Sequence, residues 1–297
     1  MTRTIDAHQH FWRTAAQEQP WRQDSHTRLE RDFEPADLEP ELVRAGVDAT
    51  ILMQSVDEPA ENQRLAAYAV DPRVAGVVAW LPLRRSAEAR AELDGLGLDK
   101  LVGVRCLVGT DPLDWLADKA SLTLFADIAE RGLAWDVVPI TKAQTDAVLQ
   151  LARTLPELRI VVDHLGRPPL ETGAWEPWAG QLHQLAGCPN VAVKASVGID
   201  ALTALDRWDL SVIGPYLRYV VQEFGPSRTM LASNWPVVLL RASYETAWDD
   251  LGSLLRTEYQ SEIDRLALLG GTAERWYGLV GELLPLAGEE SAAASHS

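Results

Sequence analysis

Eight short apolar segments, most of them separated by stretches of helical length, constrain what this chain can fold into. The segments are Thr4–Ala7, Ala49–Met53, Val74–Ala79, Leu101–Val104, Leu133–Val137, Ile160–Val162, Val191–Val193 and Thr229–Ala232. Several are apolar throughout rather than alternating, which is typical of strands buried on both faces of a parallel sheet. Strand–helix alternation repeated about eight times gives either an open doubly wound sheet or a closed barrel.

Amphipathic stretches of helical length lie between these segments. Examples are Asn62–Val70, Leu122–Arg131, Ala143–Thr154 and Pro215–Phe224. The last of them opens with proline, which suits the first turn of a helix, so we expect a helix to begin there.

Two features favour the barrel over the open sheet. The number of units is eight, and no glycine-rich phosphate loop follows the first segment, where the chain reads Asp6-Ala7-His8-Gln9-His10. A length of 297 residues also suits a single barrel. We therefore predict an α/β fold, a single (β/α)8 TIM barrel over residues 1–286, with a disordered tail of small and polar residues over 287–297.

Charge and composition exclude several classes of partner. The chain carries 27 basic and 43 acidic residues, a net charge of −16, which repels phosphate backbones and anionic membranes. No apolar run approaches the ~20 residues that span a bilayer, and the first strand leaves no room for a signal peptide. Cys106 and Cys188 suggest neither a disulfide framework nor a thiolate metal site. We expect a cytoplasmic protein that acts on a small molecule, with no nucleic-acid or membrane partner and an oligomeric state left open.

Polar and aromatic side chains stand where the apolar segments end. In a barrel these ends share one rim, and the loops that follow them carry the chemistry. The catalytic candidates are His8, His10, Arg105, His164 and Asn234. The candidates for substrate binding are Trp12, Gln54, Trp80, Lys194 and Trp235. We expect two long loops, Phe11–Pro35 and Arg167–Trp178, to cover the mouth of the barrel.

The histidines carry the most specific signal. His8 and His10 are two residues apart on a strand and point the same way, so they can bind one metal ion or one oxyanion together. With His164 they can hold one zinc-like ion and leave a coordination position open. Asp163 is placed to hold the other nitrogen of His164. The alternative is that all three histidines pack or cap strand ends, while His26 and His183 look like surface residues.

Arg105 and Lys194 add positive charge to the same rim. A guanidinium at a strand end suits a carbonyl, carboxylate or polyol oxygen, although a salt bridge at the rim is the alternative. Lys194 can equally pair with Asp136 or Asp163. Gln54 is a candidate polar contact, and the three tryptophans either line a pocket or simply pack.

Five motifs resemble one known family. They are Ile5 to Trp12, Gly103-Val104-Arg105, Val162 to Pro168, Val193 to Ser196, and Ser233 to Val237. In this order they are similar to the lactonase-type amidohydrolases, a TIM-barrel group that includes L-fuconolactonase and L-rhamnonolactonase. The resemblance covers essentially the whole chain and implies hydrolysis of sugar-acid or related lactones, with one divalent metal ion in some members and none in others.

One residue departs from the family pattern. After strand eight the family usually has Ser-Asp-Trp-Pro, whereas this chain has Ser233-Asn234-Trp235-Pro236. The aspartate serves as general base, and an asparagine amide cannot accept a proton at neutral pH. Three interpretations stay open: a deliberate change that traps a ligand, a different base such as His164 or a metal-bound hydroxide, or a changed reaction.

The sequence therefore predicts an enzyme that hydrolyses a cyclic ester. Arg105, His8 and His10 would polarise the carbonyl, directly or through one metal ion, and His164 would inherit the role of base. Asp136 and Arg105 stand where dinuclear relatives place metal ligands, so a two-metal site is not expected. The alternatives are a non-hydrolytic reaction on the same scaffold, such as decarboxylation or cyclisation, and an inactive barrel that binds a ligand.

Overall fold

The computed structural model describes residues 3–279, and eight parallel strands form one sheet in the order β1 to β8. The strands are β1 Ile5–Gln9, β2 Ala49–Met53, β3 Val74–Trp80, β4 Leu101–Arg105, β5 Ala134–Val137, β6 Arg159–Val162, β7 Val191–Ala195 and β8 Thr229–Leu231. Each predicted apolar segment overlaps one of them. The expected boundary at residue 286 and the tail over 287–297 lie outside the described residues.

The sheet curls until its first and last strands meet. A parallel bridge joins Gln9 to Trp235, the backbone N–H of His10 donates to Trp235 O at 2.8 Å, and that of Asn234 donates to His8 O at 2.9 Å. Asp6 adds a side-chain link, since it accepts from the backbone N–H of Ser233 at 2.9 Å. The predicted (β/α)8 barrel is confirmed.

Helices cover the outside of the barrel. They are α1 Pro35–Ala45, α2 Glu61–Tyr68, α3 Ser86–Gly95, α4 Lys119–Glu130, α5 Lys142–Thr154, α6 Trp178–Ala186, α7 Ile199–Ala204, α8 Leu210–Phe224, α9 Tyr244–Glu258, α10 Glu262–Leu266 and α11 Thr272–Trp276. Three of the four helices named from the sequence begin and end within a few residues of their predicted limits.

The prediction that a helix begins at Pro215 is wrong. Helix α8 begins at Leu210, where the Asp209 side chain accepts from the backbone N–H of Ser211 and caps the first turn. Pro215 therefore lies inside the helix, which continues because its apolar face, with Ile213 and Leu217 nearly fully buried, packs in the core. Packing of that face outweighs the hydrogen bond that proline removes.

Two apolar layers surround the strands. The larger fills the space between sheet and helices, and the smaller fills the barrel interior with alternate strand residues. Interior residues include Ile5, Ile51, Val78, Val161 and Met230, and Trp276 and Tyr277 close this layer from the end of the chain. The polar side chains described below stand beyond this layer, toward the carboxyl ends of the strands.

No helix in the described range 3–279 is long and apolar enough to cross a membrane.

Candidate active site

A cleft of about 330 Å³ opens at the carboxyl ends of the strands. Four of the predicted catalytic residues line it, namely His10, Arg105, His164 and Asn234, while His8 lies buried directly behind His10. A larger groove of about 510 Å³ runs along α5 on the outside of the barrel, but no histidine or arginine lines it. The cleft at the strand ends is therefore the place where reactive side chains converge.

His8 and His10 face one another. Their Nε2 atoms are 3.1 Å apart, and both rings are buried. His8 Nδ1 donates to Asp163 Oδ1 at 3.2 Å, and His10 Nδ1 donates to Met53 O at 3.0 Å. Lys194 Nζ also lies 3.2 Å from His8 Nδ1. Because the Asp163 carboxylate and the Met53 carbonyl can only accept, they favour a proton on Nδ1, and each ring then presents its Nε2 lone pair to the other. The predicted orientation of the two side chains is what the structure shows.

Asp163 lies at the centre of the buried charges. Its Oδ1 is 3.1 Å from Lys194 Nζ, and its Oδ2 accepts from Arg105 Nη1 at 2.8 Å. Asp163 holds His8, not His164, so the prediction that it fixes the tautomer of His164 is wrong. Burial raises the pKa of Asp163, but Lys194, His8 and Arg105 outweigh that effect and hold the pKa well below its usual range. Asp163 is therefore ionised at neutral pH.

Lys194 pairs with both carboxylates that the sequence suggested. Its Nζ donates to Asp136 Oδ2 at 2.6 Å as well as contacting Asp163, and all three side chains are fully buried. Tyr277 also donates to Asp136 Oδ2, at 2.7 Å. Burial raises the pKa of Asp136 to about 6, although Lys194 opposes the shift. Lys194 does not line the cleft and supports the site from below.

Arg105 is held in place by Gln54. Its Nε donates to Gln54 Oε1 at 2.8 Å, and its Nη2 donates to the Gln54 backbone carbonyl. Gln54 in turn donates to Asp57 Oδ1 at 2.7 Å, and Asp57 accepts from the backbone N–H of Leu107 at 3.0 Å. Gln54, predicted to bind substrate, is itself fully buried and orients the guanidinium.

His164 begins a left-handed turn. His164, Leu165, Gly166 and Arg167 all have positive φ, at 54°, 56°, 63° and 55°. Such a backbone is disfavoured for residues that carry a Cβ, and it places His164 against the cleft. Its Nδ1 shares a hydrogen bond of 2.9 Å with Ser196 Oγ, which leaves Nε2 available to a substrate or an ion.

Asn234 offers an oxygen to the same cleft. Its Nδ2 donates to Val197 O at 2.9 Å, and among the described residues its buried Oδ1 has no hydrogen-bond partner. An unpaired buried acceptor is costly, so Oδ1 is suited to a group that enters the cleft. A carboxylate at this position would lose the bond to Val197 and set two acceptors against each other.

His8, His10 and His164 are neutral at pH 7. Burial lowers the pKa of His8 and of His10 well below 6.5, and it lowers the pKa of His164 to about 4. Arg105 and Lys194 lower the pKa of His164 further, while Asp163 opposes them. Cys106 also lines the cleft, but burial raises the pKa of its thiol to about 12. With such a pKa the thiol is protonated at neutral pH, and a protonated thiol is a weak nucleophile.

The donor set fits one divalent ion. His8, Asp163 and His164 offer ligand atoms that all lie within 4.8 Å of one another. Both oxygens of Asp163 already accept from cations or from His8, so this carboxylate orients His8 rather than binding an ion. The facing Nε2 atoms of His8 and His10 are a better pair, since two nitrogens on one tetrahedral zinc ion lie about 3.3 Å apart.

The predicted tryptophans lie outside the lining of the cleft. Trp12 packs against Trp21 and Phe33, and Trp235 packs between Phe11 and Phe33. Trp80 is buried at the end of β3. Their role in substrate binding stays a prediction, and among the tryptophans it is Trp21, in the loop over 11–35, that lines the cleft.

His26 and His183 differ in their exposure to solvent. His183 is an exposed helix residue, as expected, and lies 2.7 Å from Glu223. The prediction that His26 is a surface residue is wrong, because it is 2% exposed. Its Nε2 lies 2.8 Å from Thr203 Oγ1, a bond that fixes the long first loop to α7.

Sequence reasoning missed Arg167 and Asp200. Both line the cleft, and Arg167 Nε donates to Asp200 Oδ2 at 2.7 Å. Arg167 belongs to a motif that the sequence singled out, but only the left-handed turn brings it to the mouth. The rest of the loop turns away, and Trp175 packs on Tyr216 and Tyr219 of α8.

Comparisons with known proteins show which family the chain is similar to. A family model described as amidohydrolase matches residues 5–279. An L-fucono-1,5-lactonase of Burkholderia ambifaria is 37% identical over 247 residues, 82% of this chain and 84% of that protein. Another, of Burkholderia multivorans, is 35% identical over 93% of this chain and 96% of that protein. The crystal structure of a Burkholderia multivorans amidohydrolase with bound zinc has a TM-score of 0.82 and 32% identity, covering 94% of this chain and 100% of that one.

Proposed function

This chain belongs to the amidohydrolase family, and we propose that it hydrolyses the cyclic ester of a sugar acid, with L-fucono-1,5-lactone as the first substrate to test. One observation carries the proposal. A guanidinium, neutral imidazoles and an unpartnered amide oxygen converge on one cleft. These are the groups that stabilise an oxyanion, accept a proton and orient a water molecule.

Arg105 is the group that polarises the ester carbonyl. A guanidinium has five N–H donors. Gln54 and Asp163 accept three of them, and a fourth points to His8 Nε2 at 3.4 Å. The remaining donor is available for the oxygen that becomes negative as water adds to the carbonyl carbon. Because Gln54 and Asp163 fix the guanidinium beforehand, no reorganisation is needed when that charge develops.

His164 is the base in this mechanism. Its Nε2 takes a proton from water as the water oxygen bonds to the carbonyl carbon. Asn234 Oδ1 accepts a hydrogen bond from the other O–H of that water, and this hydrogen stays on the oxygen. The carbonyl carbon then releases the ring oxygen, which takes the proton back from the imidazolium of His164. The products are a free carboxylic acid and a hydroxyl group, and His164 returns to its neutral form.

One divalent ion fits beside this machinery. His8 and His10 would hold it through Nε2, since Asp163 and the Met53 carbonyl contact their Nδ1 atoms. The Arg105 N–H that lies 3.4 Å from His8 Nε2 would then lose this acceptor. When bound there, the ion would supply Lewis-acid polarisation of the carbonyl oxygen beside Arg105. If His164 were a third ligand beside His8 and His10, its Nε2 would bind the ion and could not act as the base. Whether this nitrogen binds the ion or accepts a proton therefore distinguishes a three-histidine site from a two-histidine site.

The function is tested by acid release from a panel of sugar and aromatic lactones, followed with a pH indicator. The protein and its Asn234→Asp variant are compared, each with and without added zinc. We expect both to hydrolyse L-fucono-1,5-lactone. The carboxylate should change kcat/KM by less than the ~10²-fold that a new general base contributes, because His164 already holds that role.

Two outcomes would contradict parts of the proposal. Turnover by the Asn234→Asp variant alone would show that Asn234 stands in place of a necessary base. Turnover by neither protein on any lactone would remove the lactonase function and leave a non-hydrolytic reaction as the hypothesis.

The pH dependence gives a second prediction. Because burial lowers the pKa of His164 to about 4, its imidazole is free to accept a proton at every pH above that value. After correction for spontaneous hydrolysis, kcat/KM should rise from pH 3 to about pH 5 and then stay level to pH 8. A rise centred near pH 6.5 would show that burial does not lower the pKa of His164, and a rise centred well above pH 6.5 would show that another group is the base.

A further inference from the structure

Apolar side chains form most of the wall of the cleft above its catalytic floor. Val108, Val138, Ile140, Ile199 and Val237 lie along it. Such a wall offers no hydrogen bonds to a polyhydroxylated lactone. A site for that substrate needs polar groups elsewhere, since each hydroxyl that leaves water unpaired weakens binding.

Arg167 and Asp200 are the charged residues that line the cleft besides Arg105. Their ion pair is partly exposed, with 27% and 50% of the two side chains accessible. Within the described residues, the guanidinium of Arg167 uses only Nε in a hydrogen bond, so its two Nη groups are available. The pair therefore presents donors from the guanidinium and an acceptor from the carboxylate at one place.

The backbone holds both residues at the mouth. The N–H of Arg167 donates to His164 O at 2.9 Å, and Trp178 Nε1 donates to Leu165 O at 2.9 Å. Asp200 lies in the first turn of α7, two residues after Gly198. A Cβ at Gly198 would approach the Cβ of His164 to 3.2 Å. The segments that carry the pair are the same segments that enclose the predicted base.

We propose that Arg167 and Asp200 form a specificity site that recognises the hydroxyl groups of the lactone. This inference rests on the proposed function and adds the two residues that select a neutral polyhydroxylated lactone over one without hydroxyl groups. Hydroxyls both donate and accept, so vicinal hydroxyls match a guanidinium beside a carboxylate. A lactone that carries a free carboxylate would instead be repelled by Asp200, whose charge already offsets that of Arg167.

The test compares two six-membered lactones, L-fucono-1,5-lactone and the unsubstituted δ-valerolactone. In the Arg167→Met and Asp200→Asn variants, the ratio of kcat/KM for the hydroxylated lactone to that for δ-valerolactone should fall roughly 10- to 100-fold. The Arg218→Met variant is the matched control. It removes a similar Nε–carboxylate pair of 3.0 Å, with Glu258, between the outer helices α8 and α9.

An unchanged ratio would overturn the inference, because a pair that only supports the His164 turn would slow both lactones equally. If the wild type hydrolyses only the hydroxylated lactone, a raised KM with little change in kcat supports the pair, whereas a lowered kcat with unchanged KM overturns it. Asp200→Asn is nearly isosteric, so it still decides the question if Arg167→Met does not fold. Wild-type protein that hydrolyses neither lactone would overturn the proposed function itself.

Discussion

The His164→Asn variant is expected to lose roughly 10²- to 10⁴-fold in kcat on L-fucono-1,5-lactone. Asparagine can keep a polar group near Ser196 Oγ, which His164 Nδ1 contacts at 2.9 Å, but it removes the Nε2 that accepts the proton. The measurement is steady-state acid release at pH 7. His183→Asn is the matched control, since that exposed histidine pairs only with Glu223 within the described residues and should leave kcat unchanged.

Zinc content, measured on the same samples, separates two roles of His164. If His164 is the base and His8 and His10 hold the ion, the variant binds as much zinc as the wild type while turnover falls. Loss of zinc together with turnover would instead make His164 a ligand, as the three-histidine set implies. Retention of full kcat would contradict both roles.

The Lys194→Met variant is expected to lose about 3–5 kcal/mol of unfolding free energy at pH 7. Methionine fills much of the space of the lysine stem but leaves Asp136 without its cation in a fully buried position. Asp163 keeps Arg105 as a partner, so the cost falls mainly on Asp136. Urea unfolding followed by tryptophan fluorescence measures the change.

The double variant Lys194→Met/Asp136→Asn is the control for that interpretation. Removing the carboxylate as well should restore part of the lost stability, because a buried charge without a partner costs more than a neutral pair. The change of this stability loss with pH follows from the pKa of Asp136, which is raised to about 6 in the folded protein. Since the folded state holds this proton more tightly, the penalty in Lys194→Met should shrink at pH 5 and grow toward pH 8. A double variant no more stable than the single one would contradict the account.

The positions of the strands could be predicted because burial on both faces leaves a continuous apolar run in the sequence. The rim residues followed from the same reasoning, since the carboxyl ends of parallel strands meet at one edge. His8, His10, Arg105 and His164 needed no knowledge of long-range contacts, because they stand at or just after the ends of three strands, with His8 and His10 both at the end of β1.

The partners of those residues could not be predicted in the same way. Asp163 adjoins His164 in sequence but binds His8, 155 residues away, because positive φ angles at three residues with a Cβ turn the chain after β6. Sequence patterns signal such a turn only through Gly166. The position of Arg167 in the lining of the cleft was missed for the same reason. The start of α8 was predicted wrongly because packing of its apolar face outweighs the preference of proline for the first turn of a helix.

The contacts that close the barrel also set when during synthesis the enzyme can first work. Asp6 accepts from Ser233 and from the hydroxyl of Tyr244, and Asp136 accepts from Tyr277, which is among the last residues described. A growing polypeptide that still lacks Tyr277 holds Asp136 and Lys194 without this hydroxyl, while His8 has already left the ribosome. A chain that stops before Ser233 also lacks Asn234 and the contacts that close the sheet on β1, so it should show no turnover.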